Sequence, residues 1–334
     1  MPTDATAAPP PRIAVLVPCH NEAVAIGGVV AGFRHALPQA RVFVYDNNSS
    51  DMTREAACAA GARVGREALQ GKGHVVRRMF ADIEADIYVL VDGDGTYDPG
   101  AAPAMIRLLR EEQLDMVTGL RVTREAAAYR PGHQLGNRLL TGLAGLIFGR
   151  RVSDMLSGYR VFSRRFVKSF PALATGFETE TEFTVHALEL RMPVGEVATA
   201  YASRPPGSTS KLRTLRDGMR ILSTILGLLQ RERPLPFFGT LGGLLLLVSL
   251  GFFLPVLSTY LESGLVPRLP TFVASVAFLL LSFLSLAVGL VLETVTRGRQ
   301  ETKRIAYLAI PAPPPLEAAA AEDTAPEMGP VLKT

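Results

Sequence analysis

The chain has 334 residues, of which 48% are hydrophobic and 20% charged, and its net charge is +4. A charge this small gives no argument for nucleic-acid binding. The only cysteines, Cys19 and Cys58, form neither a disulfide framework nor a metal-binding spacing, which fits a reducing compartment. Residues 1–11 lack the basic and apolar regions of a signal peptide and are predicted to be disordered, as is the proline- and alanine-rich tail 311–334.

Short apolar runs alternate with helical patterns over the first 120 residues. Residues 13–17, 41–45, 87–91 and 116–120 are predicted to be strands, and residues 22–36, 53–60 and 101–112 helices. This alternation predicts an α/β fold with a mostly parallel sheet flanked by helices. Ligands of such sheets bind beyond the carboxyl ends of the strands. The first three predicted strands all end in polar residues, and that edge is therefore the first indication of function.

The chain becomes apolar after residue 233. Residues 237–260 and 271–292 carry no charge, and each is long enough for a membrane span of roughly 20 residues; a pair of helices buried in a soluble core is the alternative. The outer flanks are basic, with Arg231, Arg233, Arg297, Arg299, Lys303 and Arg304, whereas the connector 261–270 has one acid and one base. The positive-inside rule thus predicts a transmembrane hairpin over residues 236–296 of a cell inner membrane, with the preceding domain in the cytoplasm.

Two further patterns accompany the apolar segments. Residues 212–233 have a helical apolar stripe and are predicted to form an amphipathic interfacial helix, the alternative being a helix packed on the preceding domain. Gly239, Gly242 and Gly243 offer small-residue faces for helix packing, either between copies in a homo-oligomer or within one chain.

Asp92 and Asp94 flank Gly93 directly after the third predicted strand. Two carboxylates in such a turn can converge on one hard cation, Mg²⁺ or Mn²⁺. The cation would neutralise charge that develops on a diphosphate leaving group. Gly93 allows a bulky ligand to approach the backbone closely. Because an Asp-x-Asp pair is common, solvated turn acids are the alternative interpretation.

Two other segments share this predicted edge. Pro18-Cys19-His20-Asn21-Glu22 ends the first strand, and Asp46-Asn47-Asn48-Ser49-Ser50-Asp51-Met52-Thr53 ends the second. Together with Asp92 to Asp98, they resemble the fingerprint of family 2 glycosyltransferases of the GT-A fold, over residues 12–229. The chain is especially similar to the branch of polyprenyl-phosphate sugar transferases that includes dolichyl-phosphate mannose synthases. A dinucleotide-binding oxidoreductase would need a Gly-x-Gly-x-x-Gly turn after the first strand, which is missing.

The resemblance implies a catalytic GT-A domain over residues 12–211. It also implies metal-dependent, inverting transfer of a sugar from a UDP- or GDP-linked donor to undecaprenyl or dolichyl phosphate on the membrane. In the family, residues matching Pro18, Glu22 and Asp46 line the nucleoside, Asp92 helps to hold the base and ribose, and Asp94 binds the metal. The full predicted donor site comprises Pro18, Asn21, Glu22, Asp46, Asn48, Lys72, Asp92, Gly93, Glu178 and Glu180, with Asp92 and Asp94 as metal ligands.

Some of these residues have competing interpretations. Lys72, between two glycines before a helix that starts near His74, can reach a phosphate, or it can lie on a solvated surface turn. Glu178 and Glu180 can orient the donor sugar or pair with nearby arginines, or they are solvated acids in the first turn of a helix.

The predicted binding site for the acceptor consists of arginines and a glycine- and serine-rich loop. By resemblance and because guanidinium groups suit phosphate, the acceptor phosphate is predicted to bind Arg138, Ser157, Arg160, Arg204, Ser208 and Lys211. Arg138 and Arg160 are also predicted to be catalytic, together with Asp94. The chain has Ser153 where some relatives of the branch have an arginine.

Two other functions stay open. One is sugar transfer to a sugar hydroxyl in polysaccharide or glycolipid synthesis, which the absence of tryptophan and of a Gln-x-x-Arg-Trp segment disfavours. The other is an inactive membrane-tethered sensor of sugar nucleotides, which the joint presence of Asp92, Asp94, Arg204 and Lys211 disfavours.

Overall fold

A computed structural model describes residues 10–122, 142, 145, 153–176, 178–203, 227 and 230–312. The strands are β1 (Ile13–Cys19), β2 (Arg41–Asp46), β3 (Arg63–Arg66), β4 (Ile87–Leu90), β5 (Met116–Val122), β6 (Arg160–Ser163) and β7 (Val194–Ala200). The helices are α1 (Ile26–Ala36), α2 (Thr53–Ala59), α3 (Lys72–Asp82), α4 (Ala102–Glu111), α5 (Arg164–Ser169), α6 (Thr179–Glu189), α7 (Pro234–Ser263) and α8 (Leu269–Leu308).

The elements predicted in the first 120 residues are present, with one notable shift. The first helix starts at Ile26 instead of residue 22, because residues 20–25 form a turn after β1 in which Asn21 has a positive φ of 53°. The strands β3, β6 and β7 lie outside the predicted set.

The seven strands form one sheet in the order β3-β2-β1-β4-β6-β5-β7. β1 runs parallel to β2 and β4, β2 to β3, and β5 to β7, while β6 is antiparallel to both of its neighbours. The sheet is therefore mostly parallel, as predicted. In the register of β1 and β2, Cys19 lies opposite Asp46, so these two strands end at the same level.

Helices cover both faces of the sheet. One core combines strand residues such as Val15 and Val89 with the apolar sides of α1, α2 and α4. The other combines Leu16 and Leu90 with α3, α5 and α6. Because alternate strand residues face opposite layers, both faces must be apolar, which explains the continuous apolar runs of β1 and β4.

The chain divides into two compact units: a sheet unit, Met1–Thr214 with Lys303–Thr334, and a hairpin unit, Leu215–Thr302. The sheet unit is discontinuous, because the end of α8 belongs to it. Lys303 Nζ lies 2.5 Å from Glu189 Oε2, and the Tyr307 hydroxyl donates to Asp115 Oδ2 at 2.8 Å. The side chains of Glu189 and Asp115 are fully buried.

The described part of the hairpin unit contains α7, of 30 residues, and most of the 40-residue α8. Both helices are long and apolar enough to cross a membrane. Most of their apolar stretches are exposed, which does not fit helices buried in a soluble core. Within the unit, Ser249 Oγ donates to the Ser275 carbonyl and Ser282 Oγ to the Gly242 carbonyl, each at 2.8 Å. Gly242 therefore packs against α8 of the same chain. Of the predicted interfacial helix 212–233, only residues 227 and 230–233 are among those described.

Candidate active site

The loops after β1 and β2 are tied together at the carboxyl edge of the sheet. Asn21 N donates to Ser49 Oγ at 2.8 Å, and Ser50 N donates to Asn21 Oδ1 at 2.8 Å. Glu22 N donates to Thr53 Oγ1 at 2.9 Å. These reciprocal bonds hold the two loops as one surface, so predicted donor-site residues from both strand ends lie together. Their binding of a nucleotide stays a prediction.

Asp46 and Asn48 belong to the same surface. Asp46 is buried, and both of its carboxylate oxygens accept from Ser49 N at 3.3 Å. Asn48 has a φ of 60°, a left-handed conformation that asparagine adopts more readily than most residues. Its side-chain amide donates to the Ala68 carbonyl at 2.8 Å. Pro18 lies in β1 opposite Tyr45, one residue before the strand ends.

Asp92 and Asp94 follow β4 at the neighbouring strand end. A side chain at Gly93 would place its Cβ 2.4 Å from the Cys19 sulfur, so only glycine fits between the two acids. Asp94 is 5% exposed, and its Oδ1 accepts from Thr96 N at 3.1 Å and from Thr96 Oγ1 at 2.7 Å. The alternative of solvated turn acids therefore does not apply to Asp94, whereas about a third of the Asp92 side chain is exposed.

Lys72 is a buried cation at this edge. Its ammonium group donates to both Asp92 Oδ1 and Glu180 Oε1, and the side chains of Lys72 and Glu180 are only 9% and 6% exposed. Burial alone would lower the pKa of Lys72, but the two carboxylates outweigh it and raise that pKa, so the group stays charged. A solvated surface turn is therefore the wrong interpretation for Lys72.

Glu180 is likewise not a solvated helix-end acid. It lies in the first turn of α6 and is buried. Its second oxygen, Oε2, has no hydrogen-bond partner within the described part of the chain. A buried acceptor of this kind is costly unless a ligand satisfies it. Glu178 is the residue that precedes α6 and is partly exposed.

The donor set at this edge suits a hard divalent cation. The described residues contain no cluster of three or more His, Cys, Asp or Glu side chains that would enclose a metal. Mg²⁺ at diphosphate sites is held by one or two carboxylates together with phosphate oxygens of the substrate. Asp92 and Asp94 supply such carboxylates. Cys19 is not a competing nucleophile, because burial raises the pKa of its thiol well above the usual value.

Arg160 and Ser157 lie inside the protein. Arg160 is fully buried, and its guanidinium donates to the carbonyls of Ser157 and Met155, at 3.0 and 2.8 Å, and to Thr184 Oγ1 at 2.9 Å. Ser157 Oγ donates to the Gly119 carbonyl at 2.6 Å. Because these groups are already used within the fold, we assign Arg160 and Ser157 a structural role in place of the predicted contact with the acceptor phosphate.

The other predicted acceptor residues, Arg138, Arg204, Ser208 and Lys211, lie outside the described residues. One arginine that the sequence analysis overlooked is Arg121, at the end of β5. Its guanidinium makes a two-pronged ion pair with Asp154, with both N···O distances at 2.7 Å, and lies 5.7 Å from the centre of the Tyr201 ring. Its position at the end of a predicted strand was the signal that could have identified it.

Asn47 is the second overlooked residue. It is 4% exposed, and its side-chain amide forms hydrogen bonds with the segment that leads to Lys72. No property of the sequence separates it from Asn48 beside it.

Comparison with known proteins matches residues 14–170 to the family described as "Glycosyl transferase family 2". The chain is 36% identical over 239 residues to "Glycosyltransferase AglJ" of Haloferax volcanii, covering 70% of this chain and 77% of that protein. It is 27% identical over 222 residues to "Dolichyl-phosphate hexose transferase" of the same organism, covering 66% and 95%.

Among solved structures, the chain resembles glucosyl-3-phosphoglycerate synthase from Mycobacterium tuberculosis in complex with Mn²⁺, uridine diphosphate and glucosyl-3-phosphoglycerate. The TM-score is 0.53 at 24% identity, covering 67% of this chain and 80% of the other. This likeness confirms the predicted fold class.

Proposed function

Because the chain belongs to glycosyl transferase family 2, we propose that it transfers a sugar from a nucleotide-sugar donor to a polyprenyl phosphate, with inversion at the anomeric carbon. The observation that carries this proposal is the cluster of buried Lys72 and Glu180 with partly exposed Asp92, beside Asp94 at the carboxyl edge of the sheet. The cluster brings together carboxylates, a fixed cation and a hydrogen-bond acceptor, Glu180 Oε2, that has no partner among the described residues.

The donor diphosphate and its metal are assigned to the two aspartates. Mg²⁺ or Mn²⁺ held by Asp94, with Asp92, would neutralise the charge that develops on the leaving diphosphate. The glucosyl-3-phosphoglycerate synthase structure contains Mn²⁺ and uridine diphosphate, which supports a divalent metal and favours UDP over GDP here. The ends of β1 and β2 and the loops that follow them, with Pro18, Asn21, Glu22, Asp46 and Asn48, receive the nucleoside.

The donor sugar is assigned to Glu180 and Lys72. A sugar hydroxyl that donates to Glu180 Oε2 would satisfy this buried oxygen. Lys72 holds the other oxygen of Glu180 and also Asp92. Because these groups are fixed before the substrate binds, the donor sugar meets a preorganised surface. Glu178, at the start of the same helix, stays a predicted neighbour of the sugar.

The acceptor is assigned as a lipid phosphate for a chemical reason. A sugar hydroxyl needs a base that removes its proton as it attacks, whereas a phosphate oxygen is already ionised near neutral pH. Catalysis then depends on neutralising the charges of the donor diphosphate and the acceptor phosphate and on aligning the attack in line with the bond that breaks. The relative named "Dolichyl-phosphate hexose transferase" supports this acceptor class. Arg138, Arg204, Ser208 and Lys211 stay our proposed contacts for the acceptor phosphate.

The membrane arrangement follows from the two apolar helices. Their outer flanks carry six basic residues, and the positive-inside rule then assigns the sheet unit to the cytoplasmic side of the inner membrane. Within the described flank, Arg299 contacts Glu232 at 2.7 Å, Lys303 contacts Glu189, and Arg297 contacts Glu293 at 3.6 Å.

The test is a panel of radiolabelled UDP- and GDP-sugars with the full chain in detergent. Undecaprenyl phosphate is the acceptor, and undecaprenol, which lacks only the phosphate, is the matched control. We expect label from one donor to enter the lipid phase with undecaprenyl phosphate alone, and EDTA to abolish the transfer. Equal labelling of undecaprenol, or label only in soluble or polymeric products, would overturn the assigned acceptor.

A further inference from the structure

The side chain of Asn47 links the end of β2 to the segment that carries Lys72. Asn47 Nδ2 donates to the carbonyls of Glu67 and Leu69, at 3.0 and 2.8 Å, and Gly71 N donates to Asn47 Oδ1 at 2.7 Å. Both N–H groups of the amide are thus used within the protein. Asn47 therefore has no donor left for a nucleotide, although Asp46 and Asn48 on either side belong to the predicted donor site.

The same segment also lies close to the backbone that precedes α6. Gly71 has a φ of 136°, and a Cβ there would lie 2.1 Å from the Thr175 carbonyl oxygen. A Cβ at Gly73 would lie 2.1 Å from the Ala174 carbonyl oxygen. The Gly-Lys-Gly segment is therefore bonded to Asn47 and packed against residues 174–175, which leaves it little room to shift.

Lys72 begins α3 directly after Gly71. A lysine side chain has four rotatable bonds, and ordering it costs up to about 2 kcal/mol. A fixed backbone origin reduces the set of positions that its ammonium group can occupy. The three hydrogen bonds of the Asn47 side chain and the contact with residues 174–175 fix the backbone next to Lys72. From this fixed backbone the Lys72 side chain reaches two carboxylates at once.

We infer that Asn47 is a positioning residue of the transfer reaction, which sets the place of Lys72 and through it the carboxylates of Asp92 and Glu180. The inference rests on the proposed function of that cluster. Asn47 touches neither donor nor acceptor. Replacing Asn47 should therefore lower kcat, because a misplacement of about 1 Å at a reacting centre can cost about 100-fold in rate.

The experiment is a double-mutant cycle of Asn47→Ala and Lys72→Met in the full chain, measured by sugar transfer at saturating donor. Asn47→Ala alone is expected to lower kcat by roughly 10- to 100-fold. It leaves the Kd for UDP, measured by titration calorimetry, within about 3-fold of the wild type, which is under 0.7 kcal/mol. In the Lys72→Met background the same substitution should cost less than about 3-fold, because the group that it positions is already gone.

Two controls keep the result interpretable. Gln39→Ala removes an exposed amide and should leave kcat unchanged. Asn47→Ser, a smaller perturbation that retains a hydroxyl, should show the same pattern with a smaller loss of kcat, and it replaces the alanine variant if that protein does not fold. Circular dichroism verifies the fold of each variant.

The outcomes separate this inference from the proposed function. Equal losses in the two backgrounds, or a large rise in the Kd for UDP with unchanged kcat, overturn the positioning role. If the wild type fails to label undecaprenyl phosphate, the proposed acceptor is wrong. The cycle is then measured on hydrolysis of the sugar nucleotide by water, where the same non-additivity is expected.

Discussion

Replacing Lys72 by methionine removes the buried cation that faces Asp92 and Glu180. Methionine keeps most of the volume of the side chain, so the change is chiefly one of charge. Glu180 then has a nearly buried carboxylate beside the carboxylate of Asp92 without the ammonium group between them. We expect a loss of both stability and sugar transfer.

The size of the stability loss follows from the burial of the two partners. Removing one member of a buried ion pair costs about 3–5 kcal/mol. The Lys72–Glu180 contact falls in this class, because both side chains are less than a tenth exposed. The contact with Asp92 adds little, since that side chain is about a third exposed and screened by solvent. For a unit of this size each kcal/mol shifts Tm by about 2–4 °C, so Tm should fall by roughly 10 °C.

The assay compares Lys72→Met with the double variant Lys72→Met/Glu180→Gln by thermal unfolding in detergent at one scan rate. The double variant also removes the unpaired buried charge, so it should regain most of the lost Tm. It should not regain sugar transfer, because both proposed sugar contacts are changed. If Lys72→Met has the same Tm as the wild type, or if adding Glu180→Gln lowers Tm further, the buried ion pair does not stabilise the fold.

Four other substitutions test the rest of the site and fold. Asp94→Asn should abolish sugar transfer with Tm unchanged, whereas Asp98→Asn, in the same loop, should keep activity; transfer by Asp94→Asn in EDTA would refute the metal assignment. Arg160→Lys should lower stability by about 1–3 kcal/mol, because a lysine leaves buried carbonyls unsatisfied; a higher KM for the lipid with normal Tm would instead restore its acceptor role. Burial lowers the pKa of His186 to about 3, so between about pH 6.5 and 3 the unfolded chain binds a proton that the folded chain does not, and stability falls as the pH drops through that range. His186→Phe should therefore flatten the plot of Tm against pH over this range, and an unchanged slope would contradict the prediction. Lys303→Met should lower Tm by several degrees, while exposed Arg304→Met should not; equal effects would remove the special role of Lys303.

The sheet edge could be predicted from the sequence because its signals are local. The runs that became β1, β2 and β4 are apolar on both faces and end in polar residues, so their strand ends had to meet. β3 and β7 lie at the edges of the sheet, where only partial burial is needed, and Arg63–Arg66 is half charged. β6 begins with a fully buried arginine. No apolar pattern marks such strands.

The site residues show the same limit. Lys72 gave no local sign of burial, because its partner Glu180 is 108 residues away along the chain. Arg160 was misassigned because forked donors suit phosphate, while its actual partners are two loop carbonyls and a threonine. Local chemistry identifies what a side chain can bind. Only the fold decides whether those binding groups are already occupied.

The place of Lys303 and Tyr307 in the sheet unit has a consequence for biosynthesis. Glu189 and Asp115 precede these two partners by 114 and 192 residues, and the apolar segments 237–260 and 271–292 are translated in between. At a translation rate of about 5–20 residues per second, roughly 6–23 s pass between the synthesis of Glu189 and that of Lys303. During that interval each of the two buried acids in the nascent enzyme still lacks one of its final partners, so the sheet unit reaches its final packing only after the apolar segments 237–260 and 271–292 have been translated.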